Sequence, residues 1–146
     1  MSYLVDTNVL LRLVQKNHPM RLDARRALAA LRKQGEELCI ISQNLIEFYA
    51  VATRDLVDNG LGLTVNEAAR EIGKLKRIFK LRPDSQAIFI EWEQLVAQYQ
   101  VIGKKAHDTR LVAAMKTRGI SHILTFNVKD FKRFNDITPA SPQTIT

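Results

Sequence analysis

Three carboxylates, Asp6, Glu47 and Asp108, stand at or near points where an apolar run meets a helix. Asp6 closes the run Tyr3-Leu4-Val5 and is followed by Thr7-Asn8. Glu47 lies in Ile46-Glu47-Phe48, and Asp108 in Ala106-His107-Asp108-Thr109-Arg110. A fourth piece, Leu124-Thr125-Phe126-Asn127-Val128-Lys129-Asp130-Phe131, adds an amide and a further acid. A parallel α/β fold can gather such residues on one rim, because its sites form beyond the carboxyl ends of the strands. Oxygen ligands, with no cysteine cage and no histidine pair at ligand spacing, suit Mg2+ (or Mn2+ in its place) rather than zinc. An ion of that kind lowers the pKa of water and clamps a phosphate. Until it arrives the clustered carboxylates repel one another, so some should titrate abnormally.

Each of these residues has a plainer use. Asp6 and Asp108 could each cap a helix, a task for which Asp is among the best residues and which does not preclude metal binding. Glu47 could be a surface residue, but its helix is apolar nearly all round, and a buried carboxylate without a partner is costly. Thr7 and Asn8 could cap the first helix or orient Asp6. Asn127 and Asp130 read as supporting residues, with Asp130 at the start of a short helix containing Phe131 and Phe134. His107 neighbours Asp108, but adjacent residues on a helix do not face each other, so it reads as structural. Cys39 sits in Leu38-Cys39-Ile40-Ile41 and reads as core packing.

The elements that must position these residues alternate. Strands are expected over Tyr3–Val5, Leu38–Ile41 and Ile123–Thr125, with a last short one from Ile137. Helices are expected after Asp6, over 21–34 with Gly35 as the stop, from an N-cap at Ser42 to about Arg54, and from the capping box Thr64-x-x-Glu67 to about Phe79. Two more should start at Pro83-Asp84 and at Asp108, the latter ending at Gly119. Strands alternating with helices imply a three-layer α/β/α arrangement around a mainly parallel sheet. The 146 residues suit one domain, with a helical arm over about 55–100 and a short irregular tail over about 138–146.

The net charge is +7, and it is unevenly placed. Residues 104–133 hold eight Lys/Arg against only Asp108 and Asp130. A basic stretch around a metal-binding acid favours a phosphodiester substrate, although a solvated basic face would show the same count. No run approaches the roughly 18 apolar residues of a membrane span, and the first strand begins almost at the start, so no leader is expected. One cysteine excludes an internal disulfide, and a cytoplasmic location is the expectation.

The four pieces together resemble the PIN-domain ribonucleases, especially the VapC-type toxins of prokaryotic toxin–antitoxin pairs. Leu4 to Leu10 is similar to the family's opening motif, Ser42 to Phe48 to its second, His107 to Ala114 to its third and Leu124 to Phe131 to its fourth. The likeness runs from about residue 3 to 135 in consistent order. It implies that Asp6 and Asp108 are the principal metal ligands, that Glu47 is a third acid, and that Thr7 holds the site by hydrogen bonding. Members often carry Asp two residues after the strand Thr; Asn127 stands there in this chain, with Asp130 three further on. The resemblance also implies a homodimer and a cognate antitoxin.

The expectation is a Mg2+-dependent endoribonuclease, with Arg12, Lys104, Lys105, Arg110 and Lys129 as backbone contacts. The alternative is a non-catalytic RNA-binding or regulatory domain that kept the fold; Asn127 leaves it open. A phosphatase with Asp6 as nucleophile would want Asp where Asn8 stands.

Overall fold

The computed structural model describes residues 1–146. Five strands form one sheet: β1 (Ser2–Val5), β2 (Glu37–Ile41), β3 (Lys80–Arg82), β4 (His122–Leu124) and β5 (Thr138–Ala140). Their order is β3-β2-β1-β4-β5, and every pairing is parallel. Six helices connect them: α1 (Thr7–Val14), α2 (Arg21–Lys33), α3 (Ser42–Ala52), α4 (Val65–Ile78), α5 (Ala87–Gln98) and α6 (Lys105–Arg118).

Alternation along the strands divides the core in two. Tyr3, Val5, Leu38 and Ile40 join a cluster with residues of α1, α2, α3 and α4. Leu4, Cys39, Ile41 and Ile123 point the other way and join a cluster with α5 and α6. Period-two side chains on a sheet buried on both faces produce this split, and the strands therefore read as continuous apolar runs. Cys39 is a buried free thiol within the second cluster, as expected of core packing.

The sheet reverses its order at β1. From β1 the chain moves outward to β2 and β3 on one side, then returns to place β4 and β5 on the other. Ligand crevices in open α/β sheets form at such a switch point, outside the carboxyl ends of the strands. The residues that follow β1 and β4, Asp6 and Thr125, sit on that boundary, and the Asp6 amide donates to the Leu124 carbonyl at 2.9 Å.

Several sequence expectations need correction. The segment expected as a helical arm holds α4 and α5 but also contributes β3, which pairs with β2 through Cys39↔Lys80 and Ile41↔Arg82. Three residues with two cations give no apolar signal, a usual property of a protected edge strand. The last short strand expected from Ile137 is present as β5, with Pro139 tolerated at the sheet edge, but it takes up the first residues of the tail expected to be irregular, which continues in a 3-10 turn over Pro142–Thr144. Ser42 is the first helical residue rather than the cap: the Asn44 side chain accepts from the Ile41 amide at 2.9 Å, while the Ser42 hydroxyl bonds to Asp84. Pro83 and Asp84 lie before α5, which begins at Ala87. Asp108 lies inside the first turn of α6, which begins at Lys105. Asp130 ends the 3-10 turn Val128–Asp130 instead of opening a helix.

Candidate active site

Asp6 is buried at the end of β1 and does two jobs at once. It is the N-cap of α1, with Oδ1 accepting from the Thr7 amide at 2.8 Å, and its Oδ2 accepts from the Thr125 hydroxyl at 2.8 Å. The capping use foreseen for Asp6 is therefore real and leaves the carboxylate in the site. For Asp108 the capping use is absent, because its position within α6 leaves no free helix start to cap.

Thr125, which is fully buried, is saturated. Its hydroxyl donates to Asp6 and accepts from the Asn127 amide at 3.0 Å and from Asn8 Nδ2 at 3.2 Å, the full capacity of one hydroxyl. Asn8 Oδ1 in turn accepts from the Phe126 amide at 3.2 Å. The loop after β4 is thus clamped to the first turn of α1, which sets Asn127 beside Asp6.

Glu47 comes from the opposite side, on α3. The Thr7 hydroxyl donates to Oε1 at 2.9 Å and Gln43 Nε2 donates to Oε2 at 3.3 Å, one helical turn earlier on the same face. Gln43 also donates to the His107 carbonyl at 2.9 Å and accepts from Arg110 at 2.9 Å. It therefore joins the second and third acidic segments of the sequence.

Asp6, Thr7, Asn8, Glu47, Asp108 and Asn127 line one open cavity of about 370 Å³, with Arg54 as its cation. The electrostatics show the strain of collecting these acids. Burial pushes the Asp6 carboxyl up to about 6; Asp108 and Glu47 push the same way, while the Thr125 and Thr7 hydrogen bonds pull it down. Asp108 also rises to about 6, first through burial and then through Asp130 and Glu47, with Lys105 and His107 opposing. Two carboxyls that burial and neighbouring acids make reluctant to ionise are groups that a bound cation would favour in the ionised form.

No three Asp, Glu, His or Cys groups stand close enough together to enclose a metal ion. Both Glu47 oxygens already accept hydrogen bonds from Thr7 and Gln43. The donor set nevertheless fits a hard divalent cation. Asp6 and Asp108 are both acids lifted by burial and by Glu47, and Asn127 offers an amide in the same cavity. Mg2+ is usually held by one or two carboxylates and keeps several waters, so it does not need an all-protein cage.

Asp130 and the five expected cations lie outside this cavity. Asp130 pairs with Lys105 at 3.4 Å, and from there it acts on Asp108 by charge alone. Arg110 lines the neighbouring depression with Ser42, Gln43 and Glu47. Arg12 is turned to Gln15 at 2.6 Å, and Lys104 and Lys129 are exposed at the start of α6 and in the turn after β4. Thr125, Gln43 and Arg54 were not singled out from the sequence. Gln43 had a weak signal, its place four residues before Glu47 on one helix; Thr125 had only its position at a strand end.

The family model of the PIN domain matches residues 3–137. The chain belongs to the PIN domain family. Solved structures agree on the fold. A chain of VapBC2 from Rickettsia felis, bound to a DNA fragment from its promoter, superposes with TM-score 0.75 at 16% identity, covering 97% of this chain and 98% of that one. VapBC-1 from nontypeable Haemophilus influenzae gives TM-score 0.73 at 17% identity, covering 99% and 100%. Mycobacterium tuberculosis VapC20, a sarcin-ricin loop cleaving toxin, gives TM-score 0.58 at 16% identity, covering 83% and 86%. No curated protein matches the sequence. No helix of this PIN domain is long and apolar enough to cross a membrane.

Proposed function

We infer that this PIN domain is a Mg2+-dependent endoribonuclease, the toxin of a toxin–antitoxin pair acting in the cytoplasm. The observation that carries the reading is the meeting of Asp6, Glu47, Asp108 and Asn127 on one cavity at the switch point of the sheet. Family membership supports nuclease chemistry. The VapBC complexes and the RNA-cleaving VapC20 that share the fold support an RNA substrate and an antitoxin partner. A homodimer is part of the same reading.

Asp6 and Asp108 would hold the cation, with Asn127 beside them and Glu47 reaching it directly or through water. When bound, a divalent ion supplies Lewis acidity for phosphodiester hydrolysis, making water more acidic and neutralising phosphate charge. The chain's own residues do the rest. Thr125 and Thr7 fix the rotamers of Asp6 and Glu47. Arg54 on the cavity wall and Arg110 beside it hold the phosphates that flank the cleaved link. Asp6, with a pKa of about 6, is mostly ionised at neutral pH and so is ready to take a cation.

Cleavage of a panel of structured RNAs by purified protein, with Mg2+ or Mn2+ against EDTA, tests this. Metal-dependent cutting should vanish in both Asp6→Asn and Asp108→Asn. Cutting that survives either substitution would sink the assignment. A second reading, a non-catalytic RNA-binding domain, is favoured by Asn127 at the fourth acidic position; RNA binding without cutting in any metal would establish it instead.

A further inference from the structure

The cavity holding Asp6 does not end at Glu47. Glu47 also lines a middle depression with Gln43, His107 and Arg110, and His107 and Arg110 in turn line a third. That third pocket, about 370 Å³, is different in kind: its floor is Ile88, Trp92 and Ala106, and Phe89 forms one side. Phe89 and Trp92 are stacked, with ring centroids 5.6 Å apart and planes 23° apart. Trp92 is fixed from behind, its Nε1 donating to the Ala106 carbonyl at 2.9 Å, whereas Phe89 is 61% exposed.

A locked indole, an open phenyl ring and an arginine on the rim leading to an acidic site match one kind of ligand. It is flat and apolar on its faces and carries negative charge at one edge. Base–aromatic stacking with a cation on the backbone is how single strands are held without a sequence code. Arg110 supplies the cation; its 3.7 Å pair with Asp84 is exposed and weak, so a phosphate can compete for it.

We propose that the Phe89–Trp92 pocket is a nucleobase subsite, in which an unpaired base of the RNA stacks on Phe89 while Arg110 meets the phosphate between that base and the cleaved link. The subsite rests on the nuclease reading for its role, but its test does not depend on cleavage.

Trp92 is the only tryptophan, so its emission reports on this pocket alone. The Asp108→Asn chain, in Mg2+, is titrated with a short single-stranded RNA and with an abasic ribose-phosphate backbone of the same length. The base-bearing strand should quench Trp92 saturably, and the abasic strand should not. By fluorescence anisotropy, Phe89→Leu should weaken the base-bearing strand by about tenfold, while Phe89→Tyr keeps the ring and the affinity. Neither change should alter abasic binding. Equal quenching by both strands, no quenching by either, or equal loss on both backbones overturns the subsite. So does a Phe89→Leu chain that dissociates from dimer to monomer with RNA affinity intact, since a second copy would then cover the ring. Cleavage by the wild-type chain with a silent Trp92 removes the subsite and leaves the nuclease; base-dependent quenching without cleavage does the reverse.

Discussion

The Thr125 hydroxyl donates to Asp6 Oδ2 at 2.8 Å across 119 residues of sequence. The bond spans the seam at which the sheet changes direction, where Val5 lies opposite Leu124. It ties the most buried acid of the site to the loop that carries Asn127, so the orientation of one wall depends on the other.

Thr125→Val keeps the shape and removes the hydroxyl. Asp6 then loses a donor, and the Asn8 and Asn127 N–H groups lose their acceptor. Stability should fall by about 1–3 kcal/mol and cleavage by about tenfold or more. Because this hydrogen bond holds the Asp6 pKa down, the acid limb of the pH–rate profile should move upward. Thr125→Ser should restore both. A variant that loses rate with an unmoved acid limb would show that Thr125 serves packing alone.

Metal-free stability should depend on Asp6. Its pKa is about 6 when folded, against an ordinary 3.8, so the folded state holds its proton more tightly. That contribution is fully present below about pH 3.8 and is lost as pH rises through about 6. The loss is on the order of 3 kcal/mol. In EDTA, Asp6→Asn should melt higher than wild type at neutral pH, and the gap should close on acidification. An Asn variant less stable across the whole range would contradict this.

Mg2+ or Mn2+ should raise the melting temperature of the wild type, because an ion bound only by the folded state stabilises it. The rise should grow as pH passes through about 6, since binding must displace protons from Asp6 and Asp108. It should be absent in Asp6→Asn and Asp108→Asn. A rise of equal size in either variant would place the ion elsewhere.

Gln43→Leu should disconnect α3 from α6, freeing Glu47 Oε2, the His107 carbonyl and Arg110. We expect about a tenfold loss in kcat/KM with a stability loss of only about 1–2 kcal/mol. Gln43→Glu should be worse, because it sets a carboxylate against Glu47. An unaffected kcat/KM in both would show that Glu47 is held without Gln43.

Asp130 offers a milder test. It helps to raise the Asp108 pKa, and it also occupies Lys105, which lowers it. Asp130→Asn should therefore move the acid limb of cleavage downward while retaining activity. Loss of cutting as complete as in Asp108→Asn would instead make Asp130 a ligand.

The sequence by itself determined what depends on near neighbours. The apolar runs at Tyr3–Val5 and Leu38–Ile41 are strands because both faces of the sheet are covered, and Gly35 and Gly119, both at positive φ, end helices where they were expected to. The four motif segments were legible because each joins an acid or amide to an apolar periodicity. Tertiary structure alone decided how the segments meet. The register of β4 on β1 brings Thr125 to Asp6, and the packing of α3 beside α6 makes Gln43 a bridge to His107 and Arg110. β3 is a strand only because β2 pairs with it, since its own residues carry little pattern. Whether Asp108 caps a helix was likewise decided by where α6 begins, at Lys105. Local sequence sets the conformation of a few turns, whereas hydrogen bonds between residues far apart in the chain depend on register and packing, which no local pattern encodes.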